Sequence, residues 1–215
     1  ISQFYKDQEE LENGLICGIK DKMDIADLSV KASRWHGFNF PPFIDPSIHA
    51  LWVNVETPEK KVGTSYENEG EIEAIKIVLR ALIKSDRFNE YFKSFNKEED
   101  KEIGIITYYM PQMQKIRNTI YPSLSKREWR NFELHKYENE FQIPFRINTV
   151  DRFQGMERNI ILISTVRSNR QIDLNGREQQ NIKYPFALGF ARELQRVNVG
   201  FSRAKRLLIV IGNEK

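Results

Sequence analysis

Five short apolar runs punctuate the chain: Ala50-Leu51-Trp52-Val53-Asn54-Val55, Ile103-Gly104-Ile105-Ile106-Thr107, Phe145-Arg146-Ile147-Asn148-Thr149-Val150, Ile160-Ile161-Leu162-Ile163-Ser164 and Leu207-Leu208-Ile209-Val210-Ile211. Each is of strand length, and the run Ile103 to Thr107, without polar alternation, predicts burial on both faces, as in a parallel sheet. The stretches between them change period. Ile72, Ile75, Val78, Leu79 and Leu82 recur at helical spacing behind Asn68, an N-cap with Glu71 as its capping-box partner. Pro111 stands where a first helical turn tolerates it, and Met113, Ile116 and Ile120 supply the stripe that follows. A third helix is predicted from Ala191 to Lys205, with Leu194, Val197 and Phe201 facing the core. Strands alternating with helices predict an α/β fold, a parallel sheet with helices on both faces. In such sheets ligands gather at the carboxyl ends of the strands, where Thr107, Thr149 and Ser164 stand.

Residues 1–48 lack this regularity and read as an opening helix followed by irregular chain. Polar insertions near 86–102, 123–140 and 169–185 read as surface excursions of one domain over 1–215, a length that suits a single core. No apolar run approaches the roughly 18 residues of a membrane span. The opening Ile1-Ser2-Gln3-Phe4-Tyr5-Lys6 has neither an initiator Met nor a signal pattern, so an internal cut of a longer chain is expected. The single cysteine, Cys17, leaves no internal disulfide and fits a reducing, intracellular compartment. His36, His49 and His135 lie far apart without ligand-spaced partners, so no metal site is expected in this chain. A net charge of +3 permits a polyanionic partner without requiring one.

Two late stretches carry candidate chemistry. In Val150-Asp151-Arg152-Phe153-Gln154-Gly155-Met156-Glu157, Gly155 lets backbone approach a phosphate while Gln154 and Glu157 can hydrogen-bond a ribose or phosphate. The same residues also suit a plain turn with solvated charges. In Gln195-Arg196-Val197-Asn198-Val199-Gly200-Phe201-Ser202-Arg203-Ala204-Lys205, Arg196 and Arg203 lie seven apart and share a helix face that Gly200 leaves bare. Two guanidinium groups would then project over one clearing. Surface arginines paired with Glu193 or other carboxylates explain the pattern equally well, but a phosphoryl-transfer site needs such a rigidly mounted cation.

These residues resemble motifs V (Val150 to Glu157) and VI (Arg196 to Lys205) of superfamily 1 helicases, in the branch of the nonsense-mediated-decay helicase and senataxin. Ile103 to Gln112 is similar to that branch's "IGVITPYxxQ" segment, Ser65 to Glu71 to its "SxxNxxE" segment, and Phe4-Tyr5 to the pair after its "QYRMHP" motif. The resemblance implies a RecA-like fold of the P-loop NTPase type. Arg203 would be the finger reaching the γ-phosphate of ATP, with Arg196 in support, and Gln154, Gly155, Glu157 and Glu71 would lie near the nucleotide. Thr107, Tyr109, Gln112, Thr149, Asp151, Asn198 and Ser202 would face single-stranded DNA or RNA.

Departures from the pattern are Tyr108 for proline, Gln195 for arginine, Ser202 for threonine, and Glu69 where some relatives carry a phosphate-binding arginine. A Gly-x-x-x-x-Gly-Lys-Ser/Thr loop and an Asp-Glu strand are missing from the sequence, so the P-loop itself is lacking. The expectation is therefore the C-terminal motor domain of an ATP-dependent helicase, whose upstream RecA-like domain holds Mg2+ and the β-phosphate. A helicase-derived module that binds nucleic acid or protein without turnover is the alternative.

Overall fold

Strands β1 (Ala50–Asn54), β4 (Ile103–Thr107), β5 (Phe145–Thr149), β6 (Arg158–Ser164) and β9 (Ala204–Gly212) form one sheet in the order β1-β9-β6-β4-β5. Every neighbouring pair runs parallel. All residues of β4 and β6 are buried, as their unbroken apolar runs predict, whereas edge strand β1 alternates exposed and half-buried positions. Gly104 belongs in β4 for a steric reason. A Cβ there would come within 2.3 Å of Ile161 Cδ1 and 2.9 Å of Phe153 Cζ. This computed structural model describes residues 38–40, 44, 48–85, 87–93, 95–125, 128–168, 170–172, 175, 177–180 and 193–213. The predicted opening helix, Cys17, Phe4-Tyr5 and most of the 169–185 insertion lie outside those residues.

Helix α1 (Glu69–Lys84) buries the predicted stripe of Ile72, Ile75, Val78, Leu79 and Leu82. Its N-cap is Asn68, whose Oδ1 accepts from the Glu71 N–H at 3.2 Å. Only half of the capping box forms. The Asn68 N–H donates to Gln112 Oε1 at 2.8 Å, and the Glu71 side chain turns into the interior instead. The 86–102 insertion holds α2 (Phe88–Lys93) and α3 (Glu98–Lys101). Helix α4 (Met110–Ile120) opens on Pro111 and buries Met113, Ile116 and Ile120 as expected. The 123–140 insertion forms a 3-10 turn (Glu128–Asn131) and α5 (Phe132–His135).

Side chains alternate across the sheet and feed two cores. One contains Ile105, Leu162 and Ile209 with Ile72, Leu79 and Ile116 of α1 and α4. The other contains Ile106, Ile161 and Ile163 with Val150 and Phe153, and against it pack Val197 and Phe201 of α6 (Leu194–Phe201). Helices thus cover both faces. Helix α6 is shorter than the predicted span from Ala191 to Lys205. Leu194, expected in the core, is 65% exposed because it begins the helix at its open end.

A second sheet was absent from the hydrophobic pattern. It joins β2 (Glu59–Val62), β3 (Ser65–Glu67), β7 (Arg170–Ile172) and β8 (Glu178–Gln180) in the order β3-β2-β7-β8. Sequences such as Glu-Lys-Lys-Val and Ser-Tyr-Glu show no apolar alternation, so only pairing partners reveal them as strands. Among the described residues no helix is long and apolar enough to cross a membrane.

Candidate functional site

Parallel register brings Thr107 of β4 directly opposite both Thr149 of β5 and Ser164 of β6. The three hydroxyls therefore form a row at the carboxyl edge of the sheet, as expected. Thr107 is fully buried, and its Oγ1 has no hydrogen-bond partner among the described residues. A buried hydroxyl left unsatisfied is costly unless something entering the edge supplies a partner. Tyr109, the N-cap of α4, is also buried, and its ring meets that of Tyr66 edge-on with centroids 5.8 Å apart.

Beside this row the motif segments from Ser65 to Glu71 and Ile103 to Gln112 lock together. Gln112 Nε2 donates to the Asn68 carbonyl (3.1 Å) and to Ser164 Oγ (2.9 Å). Ser164 Oγ in turn donates to Glu71 Oε2 at 2.5 Å. Glu71 and Gln112 are both completely buried. Burial pushes the Glu71 carboxyl up to about 8, against the pull of hydrogen bonds from Ser164, Val166 and Thr165; the nearby Glu59 adds to the rise. Glu69 is half outside this network and pairs with Lys115, which also reaches Glu67 at 3.1 Å.

The opposite, amino edge carries a different set. After the 3-10 turn Val150–Phe153, the chain passes through Gln154 and Gly155, both exposed, before β6 begins. Gly155 has φ +79°, which a glycine adopts without strain, and a Cβ there would meet nothing within 4 Å. Gly155 and Glu157 border an open polar cleft of about 460 Å³ lined also by Arg146, Arg158 and Lys205. Behind the cleft, buried Glu102 accepts from Arg158 Nε (2.8 Å) and Nη2 (2.5 Å) and from Arg146 Nη2 (3.0 Å). That carboxylate orders the two strand ends that frame the opening.

Arg196 and Arg203 do not share one clearing. Helix α6 ends at Phe201, Ser202 is its C-cap, and Arg203 lies beyond it in the turn into β9, where its carbonyl accepts from the Arg158 N–H at 3.0 Å. At about 1.5 Å of rise per residue, seven positions separate the two by roughly 10 Å along the axis. Arg196, in the first turn, pairs with Asp151 and with Glu193, each at 3.2 Å. The carboxylate pairing considered from sequence is therefore realised at this residue. Arg203 is half-buried and held by the helix end: its Nε donates to the Val199 carbonyl (2.9 Å), its Nη2 to Ser202 Oγ (2.7 Å), and its Nη1 reaches the Met156 carbonyl at 3.5 Å. Gly200 does not bare a cationic face either. It is buried, and a Cβ on it would stand 3.4 Å from Ile163 Cδ1 and 3.5 Å from Tyr108 Oη, ordinary van der Waals contact, so the position faces the sheet. Asn198 lies on the same helix, and Ser202 Oγ donates to the Val199 carbonyl at 3.1 Å.

A five-stranded parallel sheet with helices on both faces, carrying these motif segments at its two edges, defines a RecA-like α/β domain. The chain belongs to the AAA domain family, whose model matches residues 2–215, and it is a helicase domain of superfamily 1, in the nonsense-mediated-decay branch. It is 33% identical over 179 residues to the "Regulator of nonsense transcripts 1 homolog" of Neurospora crassa, covering 82% of this chain and 13% of that protein. The "DNA polymerase alpha-associated DNA helicase A" of Saccharomyces cerevisiae is 29% identical over 177 residues, 79% of this chain and 20% of its own. With the "RNA helicase Mov10l1" of Homo sapiens the identity is 36% over 112 residues, 52% and 7%. The chain thus spans a fifth or less of each of these relatives.

Proposed function

We propose that this chain is the C-terminal motor domain of an ATP-dependent DNA or RNA helicase, and that its two sheet edges divide the work. Thr107, Tyr109, Thr149 and Asp151 border a single strand of nucleic acid at the carboxyl edge, with Gln112 bracing that edge from inside. Gly155, Glu157 and Arg203 face ATP at the amino edge, across a cleft closed by an upstream RecA-like domain. The observation that carries this reading is the segregation of the motif residues: one continuous segment, Thr149 to Glu157, starts in the hydroxyl row and ends at the polar cleft.

Bound ATP would supply a γ-phosphoryl group whose charge grows during transfer. Arg203 suits the finger role because the end of α6 fixes two of its nitrogens, so little ordering is needed to present the guanidinium. Arg196, tied to Asp151, would instead couple the helix to the strand-binding edge. Gln154 flanks Gly155 and can reach ribose. Asn198, on the intervening helix, and Ser202, its C-cap, carry motif VI between the two edges. Among the described residues no cluster of His, Cys, Asp or Glu could hold a metal ion, and in this reading Mg2+ is held by the upstream domain.

The test uses the full-length parent protein. Single-stranded DNA or RNA should stimulate its ATPase. Arg203→Ala should lower kcat by about 10³-fold or more, the scale of an arginine finger, with nucleic-acid affinity unchanged. Binding without any turnover in the wild type would instead establish the inactive binding module.

A further inference from the structure

Val166, two residues beyond Ser164 of the carboxyl-edge row, has φ +72°, a left-handed conformation that β-branched residues rarely adopt. It is fully buried, so solvent does not relieve it. What holds it is visible. The Val166 N–H donates to both oxygens of Glu71, at 2.8 and 2.9 Å, and its carbonyl accepts from Asn68 Nδ2 at 3.3 Å. Strain of this kind persists only where surrounding groups over-determine it, and it concentrates at sites that need a fixed geometry.

The turn delivers Arg167. Its Nε lies 2.8 Å from Oε1 of Glu59, a second fully buried carboxylate, as an ion pair without hydrogen-bond alignment, while Glu59 Oε2 accepts from the Ser168 N–H. With its charge matched there, the guanidinium sits 3.9 Å above the ring of Tyr66 in β3. Tyr66 is half-buried, and its ring meets edge-on that of the buried Tyr109, two residues beyond Thr107 of the hydroxyl row. The sequence motif that contains Tyr66, Asn68 and Glu71 thereby contributes an aromatic side chain and the clamp that places it.

Building on the strand-binding edge proposed above, we propose that Tyr66 is a nucleic-acid contact of that edge, and that Glu71 is its positioning residue, acting through the left-handed Val166 and the guanidinium of Arg167. The ring offers a sequence-independent surface to a nucleobase, the contact expected where single strands are gripped regardless of sequence.

Fluorescence anisotropy of a labelled single-stranded oligonucleotide, titrated with the full-length protein, tests this. Tyr66→Ala should weaken affinity about tenfold, the scale of one stacked base. Glu71→Leu should do the same, and Glu71→Gln, which keeps an acceptor for the Val166 N–H, should stay within about twofold of wild type. The double variant Tyr66→Ala/Glu71→Leu should bind no worse than either single one, because both remove the same contact. If Glu71→Leu fails to fold, Arg167→Lys replaces it: the cation for Glu59 is kept and the planar cover of Tyr66 is lost, with the same non-additivity expected. Additive losses, or a lowered melting temperature with affinity intact, would overturn the proposal. Failure of the wild type to bind any single strand would remove the edge assignment itself, a result distinguishable from both.

Discussion

Glu71 shows most directly how one residue's surroundings set its chemistry. Unfolded, its carboxyl loses the proton near the ordinary value of 4.5; folded, burial keeps it protonated until about 8. Because the folded state binds the extra proton, this contribution to stability is complete below 4.5, declines as pH rises between those values, and is lost above about 8. The slope in that window should reach at most about 1.4 kcal/mol per pH unit. Denaturant titrations across the window should record it, and Glu71→Gln, which carries no titratable proton, should flatten the profile. An unchanged slope in that variant would assign the proton to another group.

At the scale of elements, β4 and the 3-10 turn Val150–Phe153 depend on each other through Gly104. The absent Cβ leaves room for the side chains of Ile161 and Phe153, and Phe153 anchors the turn that runs from the hydroxyl row to the polar cleft. Gly104→Ala should destabilise the domain by about 1–3 kcal/mol, as overpacked cores do, read as a lower melting temperature. It should also weaken nucleic-acid binding and ATPase together, because the turn feeds both edges. Helix α6 packs on the other core through Val197 and Phe201, and its ends hold Arg196 near Asp151 and Arg203 near Met156.

For the molecule as a whole, two edges imply two separable functions. Thr107→Val and Thr149→Val remove hydroxyls without changing charge or bulk. Each should weaken single-strand affinity several-fold in the full-length protein while basal, unstimulated ATP hydrolysis is unchanged. Arg203→Ala should show the reverse. Paired measurements of oligonucleotide affinity and basal turnover would separate the edges; equal losses in both would mean that the hydroxyl row also serves the nucleotide.

Much of the frame was legible from local pattern. The run Ile103–Thr107, the helical stripe behind Asn68 and the proline opening α4 declare themselves over a few residues, because burial on two faces, a 3.6 period and a cap are local requirements. The placing of Thr107 beside Thr149 and Ser164 followed once the sheet was known to be parallel. Other features were hidden. Glu71 read as a capping-box partner, yet its ligand is the backbone of Val166, 95 positions along the chain. Arg196 and Arg203 read as one pair until the helix ended at Phe201 and set them at opposite edges. The polar strands β2 and β3 carried no periodic signal at all. Apolar spacing and caps thus determined the strands, the helices and their layering, since each depends on neighbours a turn or two away. Only the tertiary structure decided which polar groups meet, because buried hydrogen bonds and ion pairs join segments whose separation in the chain leaves no mark on local pattern.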